Sequence, residues 1–318
     1  MSLDTPVAFF IFNRPDLTEI VFKSIAEAKP RKLFVIADGP RNEEESIKCR
    51  QARDVIEKVD WDCEVIKRYS DVNLGCGKNI SSGISWVFDN ADKAIIIEDD
   101  TLPVPTFYDF CDTLLNYYYD DERIMHISGT NVQMGQQRTS YSYYFSKYNH
   151  GCAWATWRRA WKYYDYDMKS WPEFKKQGLL QQICEDQIEV EFWLRIFDNM
   201  SSEDRIDTWD YQMNYSMWSQ GGLAILPSVN MTTNLGFRAD ATHTIVDDGN
   251  PIANLPSHDI EQIDHPPFVV RHREADKYTF DYIYGGNSLR KASQAPVSIS
   301  SILLNKTVNI YRNILQKN

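Results

Sequence analysis

Residues 94–100 read Ala-Ile-Ile-Ile-Glu-Asp-Asp, an apolar run that ends in three adjacent carboxylates, Glu98, Asp99 and Asp100. A short β-branched run bounded by polar residues reads as a buried strand. In an α/β protein, ligands gather at the carboxyl ends of such strands. Adjacent acids repel one another, so a counter-charge must hold them together. A hard divalent cation with oxygen ligands does this, above all one shared with the phosphates of a nucleotide. The competing reading is a solvated acidic turn after a strand, and the surrounding sequence decides between the two.

Upstream of this stretch the chain alternates strand and helix patterns. Residues 7–12 are apolar and aromatic, and Asn13-Arg14-Pro15-Asp16 is a turn that opens a helix. Leu17, Ile20, Val21, Ser24, Ile25 and Ala28 give that helix one inward face. Residues 33–37 read as a second strand ending at Asp38-Gly39-Pro40, 43–59 as a charged amphipathic helix, and 63–67 as a third strand. The loop Asn73-Leu74-Gly75-Cys76-Gly77 leads into a helix with Ile80, Ile84, Val87 and Phe88 inward. Downstream, Pro103 and Pro105 open a helix around 107–118. This βαβα rhythm predicts an α/β fold, a mostly parallel sheet covered by helices on both faces.

Beyond about residue 130 aromatics crowd the chain, including Trp154, Trp157, Trp161 and Trp171. A helix is expected at about 185–197, followed by Trp209, Trp218 and Gly221-Gly222. Indole and phenol rings serve as core or as platforms for sugar rings; most are assigned to the core and one or two to a ligand. Residues 245–295, rich in Asp, Pro, Gly and His, read as loops. Residues 299–315 carry Ile302, Leu303, Ile310 and Ile314 at helical spacing, with few cations. This terminal helix either packs back on the domain or makes a peripheral membrane contact.

The 318 residues are 43% hydrophobic and carry a net charge of −11, which argues against a general nucleic-acid binder. Cys49, Cys63, Cys76, Cys111, Cys152 and Cys184 are scattered with no Cys-x-x-Cys pair, so neither a disulfide framework nor a zinc site is indicated. No signal segment precedes the first strand, and no apolar stretch approaches the roughly 20 residues of a membrane helix. A soluble cytoplasmic protein is the expectation.

Taken together, Phe12-Asn13-Arg14-Pro15, Asp38-Gly39-Pro40, Ile97-Glu98-Asp99-Asp100, Gly151-Cys152-Ala153-Trp154, Trp209-Asp210 and the stretch Pro227 to His243 carry a resemblance. In this order and spacing they resemble a nucleotide-sugar glycosyltransferase of the GT-A fold, nearest to the N-acetylglucosaminyltransferase I family and related bacterial proteins, over roughly residues 5–245. The resemblance implies a Rossmann-like sheet whose residues 1–130 bind the nucleotide-sugar. Residues 131–245 would form the aromatic-rich acceptor and catalytic half of the same domain, and 246–318 a C-terminal extension. It also implies a UDP-sugar donor, UDP-GlcNAc among the candidates, a glycan or glycolipid acceptor, and bound Mn²⁺ or Mg²⁺.

Roles follow residue by residue from the resemblance. Arg14 would lie near the base and diphosphate, and Asp38 would accept from the uracil imide; the alternatives are a surface arginine and a turn-forming Asp-Gly. Asp100 matches the metal-ligating aspartate, Asp99 the donor-sugar contact and Glu98 the ribose contact. Asp210 matches the base that deprotonates the acceptor hydroxyl in an inverting transfer. Its alternative is a helix cap, and Glu185 and Asp186 are a rival acidic pair that also suits a helix start. His243 is positioned to join the metal or diphosphate, and Arg238 to meet the diphosphate. The competing readings are a sugar nucleotidyltransferase, against which stands the absence of a Gly-rich loop after the first strand, and an inactive carbohydrate-binding protein using its tryptophans.

Overall fold

The computed structural model describes residues 2–237, 253 and 255–294. In chain order it runs β1 (Val7–Ile11), α1 (Pro15–Ala28), β2 (Lys32–Ala37), α2 (Glu43–Val55), β3 (Glu64–Tyr69), α3 (Cys76–Asn90) and β4 (Lys93–Glu98). Next come β5 (Thr101–Pro103), α4 (Thr106–Tyr117), β6 (Ile124–Ser128), β7 (Tyr143–Ser146), β8 (Trp154–Trp157) and α5 (Arg158–Trp161). Helices α6 (Trp171–Lys176), α7 (Leu180–Ile183), α8 (Gln187–Met200) and α9 (Asp210–Ser219) precede β9 (Leu223–Pro227) and β10 (Thr232–Asn234). Helices α10 (Arg273–Tyr282) and α11 (Gly286–Gln294) complete the described chain.

Eight strands form one sheet in the order β3-β2-β1-β4-β8-β6-β9-β7. β1 pairs in parallel with β2 and β4, β2 with β3, and β6 with β9. Only β8, between β4 and β6, and β7, at the edge, run the other way. The expected α/β architecture, a mostly parallel sheet between helices, is therefore present. All five residues of β1 and the run Ala94–Ile97 in β4 are buried, as strands covered on both faces require. Their side chains alternate between two cores. Ala8, Phe10 and Ile96 join Ile80, Ile84 and Trp154 on one face; Val7, Phe9, Ile11, Ile95 and Ile97 join Phe107 and Leu114 on the other.

The aromatic-rich half is core. Trp154, Trp157, Trp161, Trp171, Trp193, Trp209 and Trp218 are all buried, and the half-buried Trp61 and Trp86 pack against the same cores. None of the seven buried tryptophans offers a free face to a sugar.

Two local expectations are corrected. Ile20 is 42% exposed and Phe22 is buried in its place. The buried stripe of α1 centres on Val21 and Ile25, and Ile20 falls beyond its edge on a 3.6-residue turn. The loop reading of 245–295 fails at α10 and α11, where buried Ala275, Phe280 and Leu289 face the core beside the buried carboxylates Asp276 and Asp281. Ion pairs satisfy those carboxylates, so polar residues occupy inward positions and hide the helical periodicity. Among the described residues no helix is long and apolar enough to cross a membrane. The six cysteines are free. The expected terminal helix at 299–315 lies outside the described residues.

Candidate active site

Strand order reverses at β1, with β2 and β3 on one side and β4 on the other. Register brings Ile11 level with Ala37 and Phe10 level with Glu98, so β1, β2 and β4 end at one edge. A crevice forms outside the carboxyl ends of strands at such a switch point. Here a cleft of ≈ 280 Å³ is lined by Phe12 and Arg14 after β1, Asp38 and Arg41 after β2, and Glu98, Asp99 and Asp100 after β4. Gly75 and Cys76 at the start of α3, with Cys152, Asp207, Asn234 and Gly236, close it.

The counter-charge on the acidic triplet is Arg14. Its Nη1 donates to Asp100 Oδ2 at 3.0 Å and its Nη2 to Asp99 Oδ1, while the Phe12 N–H donates to Asp99 Oδ2 at 3.2 Å. Burial opposes the guanidinium charge, but Asp99 and Asp100 hold the Arg14 pKa above its ordinary value. Burial lifts Asp99 to about 6 even against Arg14. The Glu98 carboxyl makes no hydrogen bond to another described residue, although its backbone is level with Phe10 in the sheet. Burial first, then the charges of Asp100 and Asp99, push its pKa well above the carboxylate range.

Asp38 is an anchor. Its Oδ1 accepts from the N–H groups of Gly39 (2.8 Å) and Leu74 (2.9 Å), and its Oδ2 from Asn73 Nδ2 (3.0 Å) and the Gly75 N–H (3.2 Å). Burial raises its pKa and those backbone donors oppose the rise. A carboxylate has about four acceptor positions, so accepting from a uracil imide would mean giving up one of these bonds.

Asp207 lines the cleft although nothing in the sequence singles it out. Its two oxygens accept from the Cys76 and Gly77 N–H groups, each at 2.8 Å, and so occupy the N-terminus of α3. A Cβ on Gly75, where φ is +81°, would stand 2.6 Å from Asp207 Oδ2. Gly75-Cys76-Gly77 thus signals a close approach at this turn, but only the fold supplies the side chain that makes it.

Asp210 is the first residue of α9 rather than its cap. Its Oδ1 accepts from Thr208 Oγ1 at 2.6 Å and from the Tyr211 N–H at 3.0 Å. It does not line the cleft, yet its charge contributes to the raised pKa of both Glu98 and Cys76. Trp209 stacks on Trp154, ring centroids 5.1 Å apart, which fixes the start of α9 against β8. The rival acids are committed elsewhere. Asp186 caps α8 and pairs with Arg290, and Glu185 pairs with Arg271 and Arg273.

β10 pairs antiparallel with β5, Asn234 opposite Thr101, and carries the chain back over the triplet. The Leu235 N–H donates to the Asp100 carbonyl at 2.6 Å, and a Cβ on Gly236 would lie 2.6 Å from Asp100 Oδ2. Arg238 and His243, two residues expected at the site, lie outside the described residues. Among the described residues no three or more His, Cys, Asp or Glu side chains are grouped to hold a metal ion.

No family model matches the chain, and no curated protein matches its sequence. Among solved structures, UDP-glucose pyrophosphorylase complexed with UDP-glucose is similar at 11% identity and a TM-score of 0.27. The likeness covers 46% of this chain and 63% of that one.

Proposed function

We propose that the cleft binds a nucleotide-sugar and that the protein is a glycosyltransferase. In this reading it moves a sugar from a UDP-sugar, UDP-GlcNAc among the candidates, to a glycan or glycolipid acceptor, inverting the anomeric centre. The observation that carries the reading is the guanidinium of Arg14 set between Asp99 and Asp100 at the strand switch point. It puts a cation and several carboxylates at the position where α/β folds bind nucleotides.

Arg14 and Arg41 are the cleft's basic groups toward a diphosphate, with Arg238 the proposed addition, against Asp38, Glu98, Asp99, Asp100 and Asp207. Acid predominates, so a further cation suits a diphosphate there. The donor chemistry fits one. Mg²⁺ and its analogues are held by one or two carboxylates plus substrate phosphates, and Asp100 is a hard oxygen donor on the cleft wall. Asp100, with His243 as a further candidate, would hold Mn²⁺ or Mg²⁺, and Glu98 would meet the ribose. Bound there, the ion would offset charge on the leaving diphosphate.

The remaining steps belong to side chains. Asp38 keeps the 73–75 loop closed on the base side, and Asp99, locked to Arg14, faces the donor sugar. Asp210 takes the proton of the acceptor hydroxyl as its oxygen bonds to the anomeric carbon. The bond to the diphosphate breaks and UDP leaves with the electron pair.

A thermal-shift measurement with UDP, with and without Mn²⁺, tests the reading. Ligand at about 100 times its dissociation constant stabilises the native state by about 2.7 kcal/mol. Asp100→Ala should remove the Mn²⁺-dependent part of that gain. A folded variant that keeps it would remove the triplet from the mechanism.

A further inference from the structure

A second cleft, of ≈ 800 Å³, lies between the loop after β6, the segment after β9 and residues 255–264. Since β6 and β9 point the same way as β4, it opens at the same sheet edge as the triplet. The two clefts share a connection. Asn230 lines the second and Asn234 the first, and four residues of chain span no more than about 14 Å. Thr130 Oγ1, 2.9 Å from Thr232 Oγ1, ties the intervening strand to the β6 loop.

The wall of this cleft is built rather than loose. Met134 and Gly135 both adopt left-handed backbone, φ 50° and 76°. A left-handed non-glycine residue persists where its surroundings over-determine it, commonly at ligand clamps. Those surroundings are present. Asn131 Nδ2 donates to the Pro227 carbonyl at 2.6 Å, and fully buried Gln133 donates to the Ala275 carbonyl (3.2 Å) and Thr279 Oγ1 (3.0 Å). Arg138 Nε donates to Gln133 Oε1 at 2.7 Å, which turns that cation away from the cleft and onto the inner side of the loop.

The chemistry of the lining differs from that of the first cleft. Gln136, Gln137 and Tyr141 are among its lining residues and bring two amides and a phenol to this wall. Besides Tyr141, its titratable members are Asp264 and His258, and no Lys or Arg stands among the described lining residues. A phosphate or carboxylate ligand would find no fixed cation there. Paired amide donors and acceptors suit vicinal hydroxyls, and Tyr141, 38% exposed, offers an aromatic face to the C–H side of a pyranose. We propose that this second cleft binds the neutral sugar residues of the acceptor, presenting their hydroxyl toward the donor cleft. The assignment rests on the glycosyltransferase reading of the first cleft.

Saturation-transfer NMR with a panel of methyl glycosides and short neutral oligosaccharides tests it, with UDP titrated in parallel. Wild-type protein should give signals from at least one neutral sugar. Tyr141→Ala should weaken that binding about tenfold or more, Tyr141→Phe should retain it, and a Gln136→Ala/Gln137→Ala double variant should also weaken it. UDP affinity should stay unchanged in all three. The proposal is overturned if no neutral sugar binds, if binding ignores both Tyr141→Ala and the double variant, or if sugar phosphates compete better than neutral sugars. Loss of UDP binding by wild-type protein, with Tyr141-dependent sugar binding intact, would instead overturn the donor-site reading and leave the second cleft a sugar site.

Discussion

At Asp210 binding and chemistry can be separated. Its Oδ1 already serves Thr208 and the Tyr211 N–H, and an asparagine carbonyl can accept both bonds. Asp210→Asn should therefore leave folding and UDP affinity close to wild type. Transfer to the acceptor should fall by the ~10²–10⁴-fold typical of a lost general base, read as product formed per enzyme under saturating donor. A wild-type rate would move the base elsewhere. Glu185 and Asp186 are not the replacement, since each is bound to arginine.

Helix α10 shows how an element can be held by polar contacts. Asp276 accepts from Ser146 Oγ at 2.5 Å and from Arg271 Nε at 3.1 Å, pinning α10 to β7. Burial lifts its pKa to about 6, although Ser146, Lys147 and Arg271 pull it down. The folded protein thus binds the Asp276 proton more tightly than the unfolded chain does. Its contribution is greatest at low pH and is lost as pH rises from about 4 to about 6. Over that window wild type should lose on the order of 2 kcal/mol relative to Asp276→Asn, measured as the difference between their urea-denaturation free energies at each pH. A gap that stays constant with pH would show that Asp276 does not carry this proton linkage.

For the molecule as a whole, the antiparallel strand β8 joins the parallel half to the rest of the sheet, and Trp154 is its hinge of packing. The ring is fully buried, stacked on His126 at 4.8 Å and on Trp209 at 5.1 Å. Its indole N–H has no partner among the described residues. Trp154→Ala should cost about 3–5 kcal/mol, as large-to-small core changes do. Trp154→Phe keeps a ring and removes an unsatisfied donor, so it should cost less. Equal losses in chemical denaturation would mean that the indole's own shape, not aromatic bulk, holds the two halves together.

The order of strands and helices through residue 118, apart from the short β5, was legible in the sequence, because periodicity and turn residues act over a few positions. So was the edge where the chemistry lies, since Ile95-Ile96-Ile97 followed by Glu98-Asp99-Asp100 can hardly be other than a buried strand reaching an opening. The acids' need for a counter-charge was legible too, from Coulomb repulsion alone. Which charge met it was not. Arg14 reaches Asp99 and Asp100 only because β1 and β4 pair side by side. Asp207 reaches α3 through a contact across 130 residues of chain. The second cleft exists because β6 and β9 are neighbours. Helix α10 was hidden because its inward carboxylates are neutralised by Arg271 and Arg290, side chains from outside the helix. Local patterns specify elements, but the partner of a charge is chosen by strand pairing, and pairing between distant segments is a property of the folded chain.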